Sequence, residues 1–196
     1  MTGGTIPVAE VFESIQGEGF WAGTPAYFVR LAGCNLKCWF CDTRRDDGKR
    51  VGIRRLAKEA GKSGLWRVVI TGGEPTIHPE LPGLVAALAG ENMDVHLETN
   101  GTGPIPEGVH WLTVSPKSTD IRVEAADELK VLWFGPHGGD YLDYWDESGF
   151  LTEHRFVQPV AGSDGKARDT GEILAWLRRH QRWRLSLQLQ KILRIR

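Results

Sequence analysis

The only three cysteines of this 196-residue chain fall within eight positions, in Gly33-Cys34-Asn35-Leu36-Lys37-Cys38-Trp39-Phe40-Cys41-Asp42-Thr43. Thiolates spaced C-x3-C-x2-C on a short loop curl around one soft metal centre, either an iron–sulfur cluster or a zinc ion. The fold must therefore present this loop at one end of its framework, with flanking elements rigid enough to hold it. Both kinds of centre want a fourth ligand, and there is no fourth cysteine. One reading closes a zinc site with one of the six histidines. The other leaves a cluster open at one iron, where a small molecule binds through an amine and a carboxylate. An odd, clustered set of cysteines suits a metal centre in a reducing compartment better than a disulfide framework.

Around this loop the chain alternates strand-like and helix-like stretches. Residues 6–15 read as a strand running into the turn Gln16-Gly17-Glu18-Gly19, and residues 25–31 as a second strand that completes a leading hairpin. Alternation places Ala26, Phe28 and Arg30 on one face of that second strand and Tyr27, Val29 and Leu31 on the other. Residues 44–50 form a charged loop. Further strands are expected at 67–70, 95–99, 111–115, 129–133, 155–157 and 183–190. Helices are expected at 53–62, 82–91 and 171–180. The last has Asp169-Thr170 as N-cap and Ile173, Leu174 and Leu177 on one face. Only a doubtful short helix is read around 141–145. About six core strands and three helices after a hairpin imply an α/β chain with a parallel sheet and right-handed crossovers. A complete eight-fold barrel takes ~250 residues, so a shortened partial (β/α) barrel in a single domain, 1–196, is expected. Trp66, Trp111, Trp133 and Trp183 sit at or near apolar runs and are expected to pack in the core.

The C-x3-C-x-aromatic-C pattern, with Phe40 before the last cysteine, resembles the signature of the radical S-adenosylmethionine superfamily. Ser14-Ile15-Gln16-Gly17-Glu18-Gly19 upstream, Phe28 to Leu36 and then Cys41-Asp42-Thr43 are similar to the 7-carboxy-7-deazaguanine synthase family within it. Thr71-Gly72-Gly73-Glu74-Pro75 follows an apolar strand some thirty residues later and resembles the superfamily's second motif. By itself a Gly-Gly turn is weak evidence; two motifs in the right order make a zinc knuckle a poor reading.

The resemblance implies that Cys34, Cys38 and Cys41 (cluster loop 33–43) hold a 4Fe-4S cluster and that S-adenosylmethionine is the co-substrate. It implies contacts to S-adenosylmethionine from Phe40, Asp42, Gly72, Gly73, Glu74, Ser115, Pro116, Lys117, Gln158, Pro159, Val160 and Ala161. Thr43 is the implied Mg2+ ligand, the substrate supplying further oxygens. The implied substrate pocket comprises Ile15, Gln16, Gly17, Glu18, Arg30, Thr71, Glu98 and the last residue, Arg196, with the arginine of the second strand on a carboxylate. The implied reaction is radical ring contraction of 6-carboxy-5,6,7,8-tetrahydropterin to 7-carboxy-7-deazaguanine with loss of ammonia, a lyase step toward queuosine. The radical comes from the cofactor, so no side chain is singled out as catalytic. A homodimer and a low-potential electron donor such as a flavodoxin are implied partners. The chain departs from many relatives at Gln190, where they have histidine, and in its Ile195-Arg196 ending. Two rivals remain: a small activating enzyme that acts on a protein glycyl site, and a non-enzymatic zinc or electron-transfer module.

Composition narrows the classes further. With 24 Lys plus Arg against 25 Asp plus Glu, the net charge of −1 offers no general pull toward nucleic acid. The first residues lack a basic and apolar leader, and no run approaches the ~20 apolar residues of a membrane span. The expectation is a cytoplasmic enzyme. His78, His96 and His110 fall on different elements without i, i+4 spacing and are read as structural or exposed. Residues 191–196 are either a frayed tail or a lid on the substrate pocket.

Overall fold

The computed structural model describes residues 4–41, 48–162 and 166–196. Nine strands form one sheet in the order β3-β1-β2-β4-β5-β6-β7-β8-β9. They are β1 (Thr5–Ile15), β2 (Pro25–Leu31), β3 (Lys49–Gly52), β4 (Arg67–Gly72), β5 (Asp94–Thr99), β6 (Trp111–Val114), β7 (Glu128–Trp133), β8 (His154–Pro159) and β9 (Trp183–Leu185). β1 pairs antiparallel with both β2 and β3. Every neighbouring pair from β2 to β9 is parallel. The six expected core strands are β4 to β9. β3 falls partly in the stretch read as a charged loop, because Lys49 and Arg50 hide an edge strand. Arg50 donates to the Thr5 hydroxyl at 2.7 Å and pairs with Glu80 at 2.6 Å.

One face of the sheet is covered by helices. α1 (Ile53–Lys62) buries Ile53, Leu56, Ala57 and Ala60, an i, i+3, i+4, i+7 stripe. α2 (Leu81–Gly90) carries Pro82 in its first turn, where a missing N–H costs nothing, and buries Leu81, Leu84, Val85 and Leu88. Both pack on Tyr27, Val29, Leu31, Val68, Ile70, Val95 and Leu97. A second cluster joins β7, β8 and β9 to α3 (Gly138–Glu147) and α4 (Thr170–Leu177) through Leu142, Trp145, Ile173 and Trp176.

α3 is a full helix where sequence suggested only a doubtful one. Its first residues, Gly138 and Gly139, have low helix propensity. Yet an added Cβ at Gly138 would lie 2.6 Å from the Trp133 ring, so the helix docks on β7 through that bare backbone. In α4 Ile173 and Trp176 are buried and Leu177 packs partly buried against the same cluster, while Leu174 is 51 % exposed, so of the expected Ile173-Leu174-Leu177 face only Leu174 is corrected. Asp169 caps α4 only through its backbone, at φ 55, without the expected side-chain bond. Trp133 and Trp183 are core, but Trp66 is 62 % exposed and lies 4.5 Å from the Arg67 guanidinium, as a lid on a buried cation.

The opposite face of the sheet carries the polar side chains of β5 and β7 that line the cavities, Glu98 and Lys130 among them. The β1–β2 turn reaches across it to the C-terminal segment: the Leu189 N–H donates to the Gly17 carbonyl at 2.9 Å, and the Gly19 N–H to the Ser186 hydroxyl at 3.0 Å. The expected strand 183–190 stops at Leu185. Ser186 makes a last bond to Val157, the chain turns inward, and residues Leu189–Leu193 form a short helix, α5. Leu185 and Leu187 are more than a third exposed.

Candidate active site

Strand ends build this site, and glycine allows them to meet. β2 leads into Gly33 at φ +87, a conformation disfavoured for side chains with a Cβ. The Gly73 N–H donates to the Leu31 carbonyl at 3.1 Å and the Glu74 N–H to the Gly33 carbonyl at 2.9 Å, fastening the Gly-Gly-Glu-Pro turn after β4 to the cluster loop. A Cβ on Gly73 would sit 1.9 Å from the Gly33 carbonyl oxygen and 3.1 Å from the Cys34 Cβ. Backbone cannot yield as a flexible side chain does. Gly73→Ala is therefore expected to destabilise the fold by about 3 kcal/mol, measured by denaturant unfolding of the reconstituted protein, with loss of iron in parallel.

A cavity of about 210 Å3 opens beside this turn. Cys34, Cys38 and Cys41 line it together with Phe40, Gly72, Gly73, Glu74, Ser115, Lys117 and the run Gln158-Pro159-Val160-Ala161. Pro116 does not line it. Asp42 and Thr43 lie outside the described residues. No disulfide joins the cysteines, Cys34 and Cys38 are half-buried and Cys41 is exposed. Among the described residues no three His, Cys, Asp or Glu side chains gather around one ion position, which includes every histidine of the chain. All three cysteines nevertheless line one cavity, and an iron–sulfur cluster would take one thiolate per iron. Asn35 orients the loop from inside: its amide donates to the Thr102 hydroxyl at 2.9 Å and its oxygen accepts from Asn100 at 3.0 Å. Glu74, expected to offer charge to a ligand, has both oxygens engaged. Oε1 accepts from the Thr76 N–H and hydroxyl and from the Thr99 hydroxyl, and Oε2 from the Asn100 N–H at 2.6 Å. Its role in the geometry is to pin the ends of β4 and β5.

A second cavity, of about 750 Å3, adjoins the first, and Glu18, Thr71, Gly72 and Glu98 line both. All eight residues expected around a substrate line it: Ile15, Gln16, Gly17, Glu18, Arg30, Thr71, Glu98 and Arg196. Arg30 already has an ion pair, Nε to Glu10 Oε1 at 2.9 Å, and Arg196 approaches the other Glu10 oxygen at 3.6 Å. The Glu98 carboxylate accepts from Gln16 at 2.9 Å and from the Thr71 hydroxyl at 2.8 Å. Ser14 donates to the Arg196 carbonyl, which ties the last residue to β1.

Glu18 lies in the wall between the cavities. Lys130 contacts its Oε2 at 2.6 Å, while Gln188 and Gln190 donate to Oε1 at 2.8 and 3.0 Å. Burial pushes the Glu18 carboxyl up, but the charge and hydrogen bond of Lys130 with the two amides outweigh it and hold the group at about 2. Glu128, two residues before Lys130, accepts from the Phe20 N–H at 2.8 Å, and burial pushes it up to about 7 against the pull of Lys130. Burial, helped by Lys130, brings Lys117 down to about 8. Sequence reasoning missed Lys130, Glu128 and Glu10 as members of the site. The signal was present in β7, where Glu128 and Lys130 alternate with Leu129 and Val131, the period of a strand whose second face is also buried.

The comparisons with known proteins decide the family. Residues 28–132 match the model of the Radical SAM superfamily. A 7-carboxy-7-deazaguanine synthase from Bacteroides thetaiotaomicron is 38 % identical over 190 residues, covering 96 % of this chain and 98 % of that protein. The chain belongs to the 7-carboxy-7-deazaguanine synthase family. A second synthase of that name, from Burkholderia multivorans, is 39 % identical over 97 % of this chain and 99 % of its own length. The crystal structure of QueE from Escherichia coli superposes with a TM-score of 0.79 at 28 % identity and covers 94 % of each chain. As a radical S-adenosylmethionine enzyme of this synthase family, the chain uses a 4Fe-4S cluster and S-adenosylmethionine. No described helix is long and apolar enough to cross a membrane.

Proposed function

We propose that this chain, as a single domain on a shortened partial barrel, converts 6-carboxy-5,6,7,8-tetrahydropterin to 7-carboxy-7-deazaguanine with loss of ammonia, in queuosine biosynthesis. The observation that carries this reading is the pair of adjoining cavities, one with the three cysteines and the other with Arg30, sharing a wall of Glu18, Thr71 and Glu98. When bound, the cluster and S-adenosylmethionine supply hydrogen-atom abstraction across that wall. Arg30 exchanges Glu10 for the pterin carboxylate, a fork suited to two parallel hydrogen bonds. Glu98, held by Gln16 and Thr71, accepts from the ring N–H edge. Gln190 borders the second cavity and donates through its amide to Glu18, while its carbonyl oxygen is packed against Gly17. Phe12, Phe28, Ile15 and Ile195 line the rest and exclude water from the reacting carbon. Thr43 is our candidate Mg2+ ligand. A homodimer, a low-potential electron donor such as a flavodoxin and a cytoplasmic setting complete the proposal.

The test is anaerobic reconstitution followed by product analysis with dithionite, S-adenosylmethionine and the candidate tetrahydropterin. One 7-carboxy-7-deazaguanine and one ammonia per substrate are expected. Cleavage of S-adenosylmethionine without either product sinks the assignment. The last residues provide a second check. Deleting residues 195–196 keeps α5 with its C-cap Arg194 but removes Ile195, Arg196 and the Arg196–Glu10 pair. Pterin affinity is expected to fall about tenfold, roughly 1.4 kcal/mol, while cluster content holds. Unchanged affinity in equilibrium binding would leave the tail without a role.

A further inference from the structure

We propose that Lys130 is a positioning residue for this reaction: it holds Glu18 as a fixed anion in the wall between the two cavities. The proposal rests on the substrate reading above. Lys130 on β7 lines the cysteine cavity with its side chain only 6 % exposed, and its ammonium lies 2.6 Å from Glu18 Oε2. Glu18 belongs to the β1–β2 turn, far along the chain, and borders both cavities. Its other oxygen faces the amides of Gln188 and Gln190, so three donors from two distant segments set the carboxylate plane. Glu128 on the same face of β7 secures the same turn at the Phe20 N–H. A buried ion pair is a poor source of net stability, since desolvation consumes most of the Coulomb gain. Its benefit is orientation. An anion so fixed has a defined direction in which to accept a hydrogen bond from bound substrate, without drifting toward the cluster side of the wall.

The ionised and titratable groups facing Glu18 are Lys130 and Glu128 from β7, Glu98 from β5, Lys117 after β6 and Lys191 from α5. With Lys130 present, Glu18 stays ionised throughout pH 6–9. In Lys130→Met the burial that raises the Glu18 pKa acts without its main opponent, so the carboxyl gains a proton as pH falls and loses the form that Lys130 maintains. Lys117 and Glu128 also titrate in this window, so the informative quantity is the difference between variant and wild-type profiles.

The experiment uses holoenzyme and the candidate tetrahydropterin. Lys130→Met is expected to raise the pterin KM about tenfold or more, to affect the S-adenosylmethionine KM much less, and to worsen as pH falls from 8 to 6 relative to wild type. Lys130→Arg is expected to recover part of the loss. The double variant Lys130→Met with Glu18→Gln is expected to be no worse than Glu18→Gln alone, because Lys130 acts through Glu18. Should Lys130→Met fail to fold, Lys130→Gln carries the same measurements. A wild-type-like pterin KM and pH profile overturns the proposal. So does an equal loss of both KM values that tracks a lowered melting temperature and is not relieved by arginine, which marks a merely structural lysine. A wild type that forms no product overturns the substrate reading and this proposal with it. A productive wild type beside an unaffected Lys130→Met overturns this proposal alone.

Discussion

Changing any one of Cys34, Cys38 and Cys41 to alanine is expected to reduce S-adenosylmethionine cleavage and product formation to background. Each thiolate would serve a different iron of an open cluster, so the loss of one would leave an iron with no protein ligand and no other cysteine to complete the site. The chain has no spare cysteine. Folding is expected to survive. Cys41 is exposed and Cys34 and Cys38 only half-buried, so the truncation opens no large internal void of the kind that costs several kcal/mol. The loop geometry is kept by contacts that do not involve sulfur, among them the Cys41 N–H to the Cys38 carbonyl at 3.2 Å and the side-chain hydrogen bond from the Asn100 amide to the Asn35 oxygen. Iron and sulfide content, the visible spectrum after anaerobic reconstitution and 5′-deoxyadenosine yield measure the effect; circular dichroism checks the fold. If a triple alanine variant still yields 5′-deoxyadenosine under reducing conditions, the assignment of this loop is wrong.

Arg30→Lys is expected to raise the pterin KM by about 30-fold, the counterpart of roughly 2 kcal/mol for a charge-assisted contact in a desolvated site. Lysine keeps the charge, but a point cation does not reproduce a planar fork that gives two parallel bonds to a carboxylate. The structure adds a competitor: Glu10 holds Arg30 at 2.9 Å, and Phe12 lies under the guanidinium with 5.7 Å to the ring centroid. Substrate must displace Glu10 or share Arg30 with it. Glu10→Gln is accordingly expected to leave pterin affinity at least as strong as wild type, the opposite direction from Arg30→Lys. Near-normal kcat/KM for the pterin in Arg30→Lys would remove this arginine from the pocket.

Much of the site was legible because its chemistry is written in short local strings. Gly33 to Cys41 and Gly72 to Pro75 carry their meaning in backbone conformation and close spacing, and period-2 alternation put Arg30 with Phe28 on one face of β2, the face that the structure shows lining the second cavity. What failed locally failed for identifiable reasons. The alternating Leu185-Ser186-Leu187-Gln188-Leu189 resembles a strand, but β9 is an edge with a neighbour on one side only, and the buried Glu18 draws two amides inward. Helix α3 was obscured by glycines whose purpose is contact with Trp133. Asp169 looked like a side-chain cap, a role that its left-handed backbone conformation replaces with a carbonyl.

By itself, then, the sequence determined the cysteine loop, the glycine turn that backs it and the run of parallel strands, and those short motifs carried the resemblance to the family. The motifs and strands depend on interactions within a few residues or on the alternation of strand and helix patterns. Only the tertiary structure decided that Lys130 faces Glu18 across 112 positions, that Gln188 and Gln190 close the same carboxylate, and that Arg30 pairs with Glu10. Such pairings follow from how far the sheet curls and from the register of strands distant in sequence. A buried charge finds its partner by desolvation and Coulomb attraction acting through space, and no local pattern records which distant residue that will be.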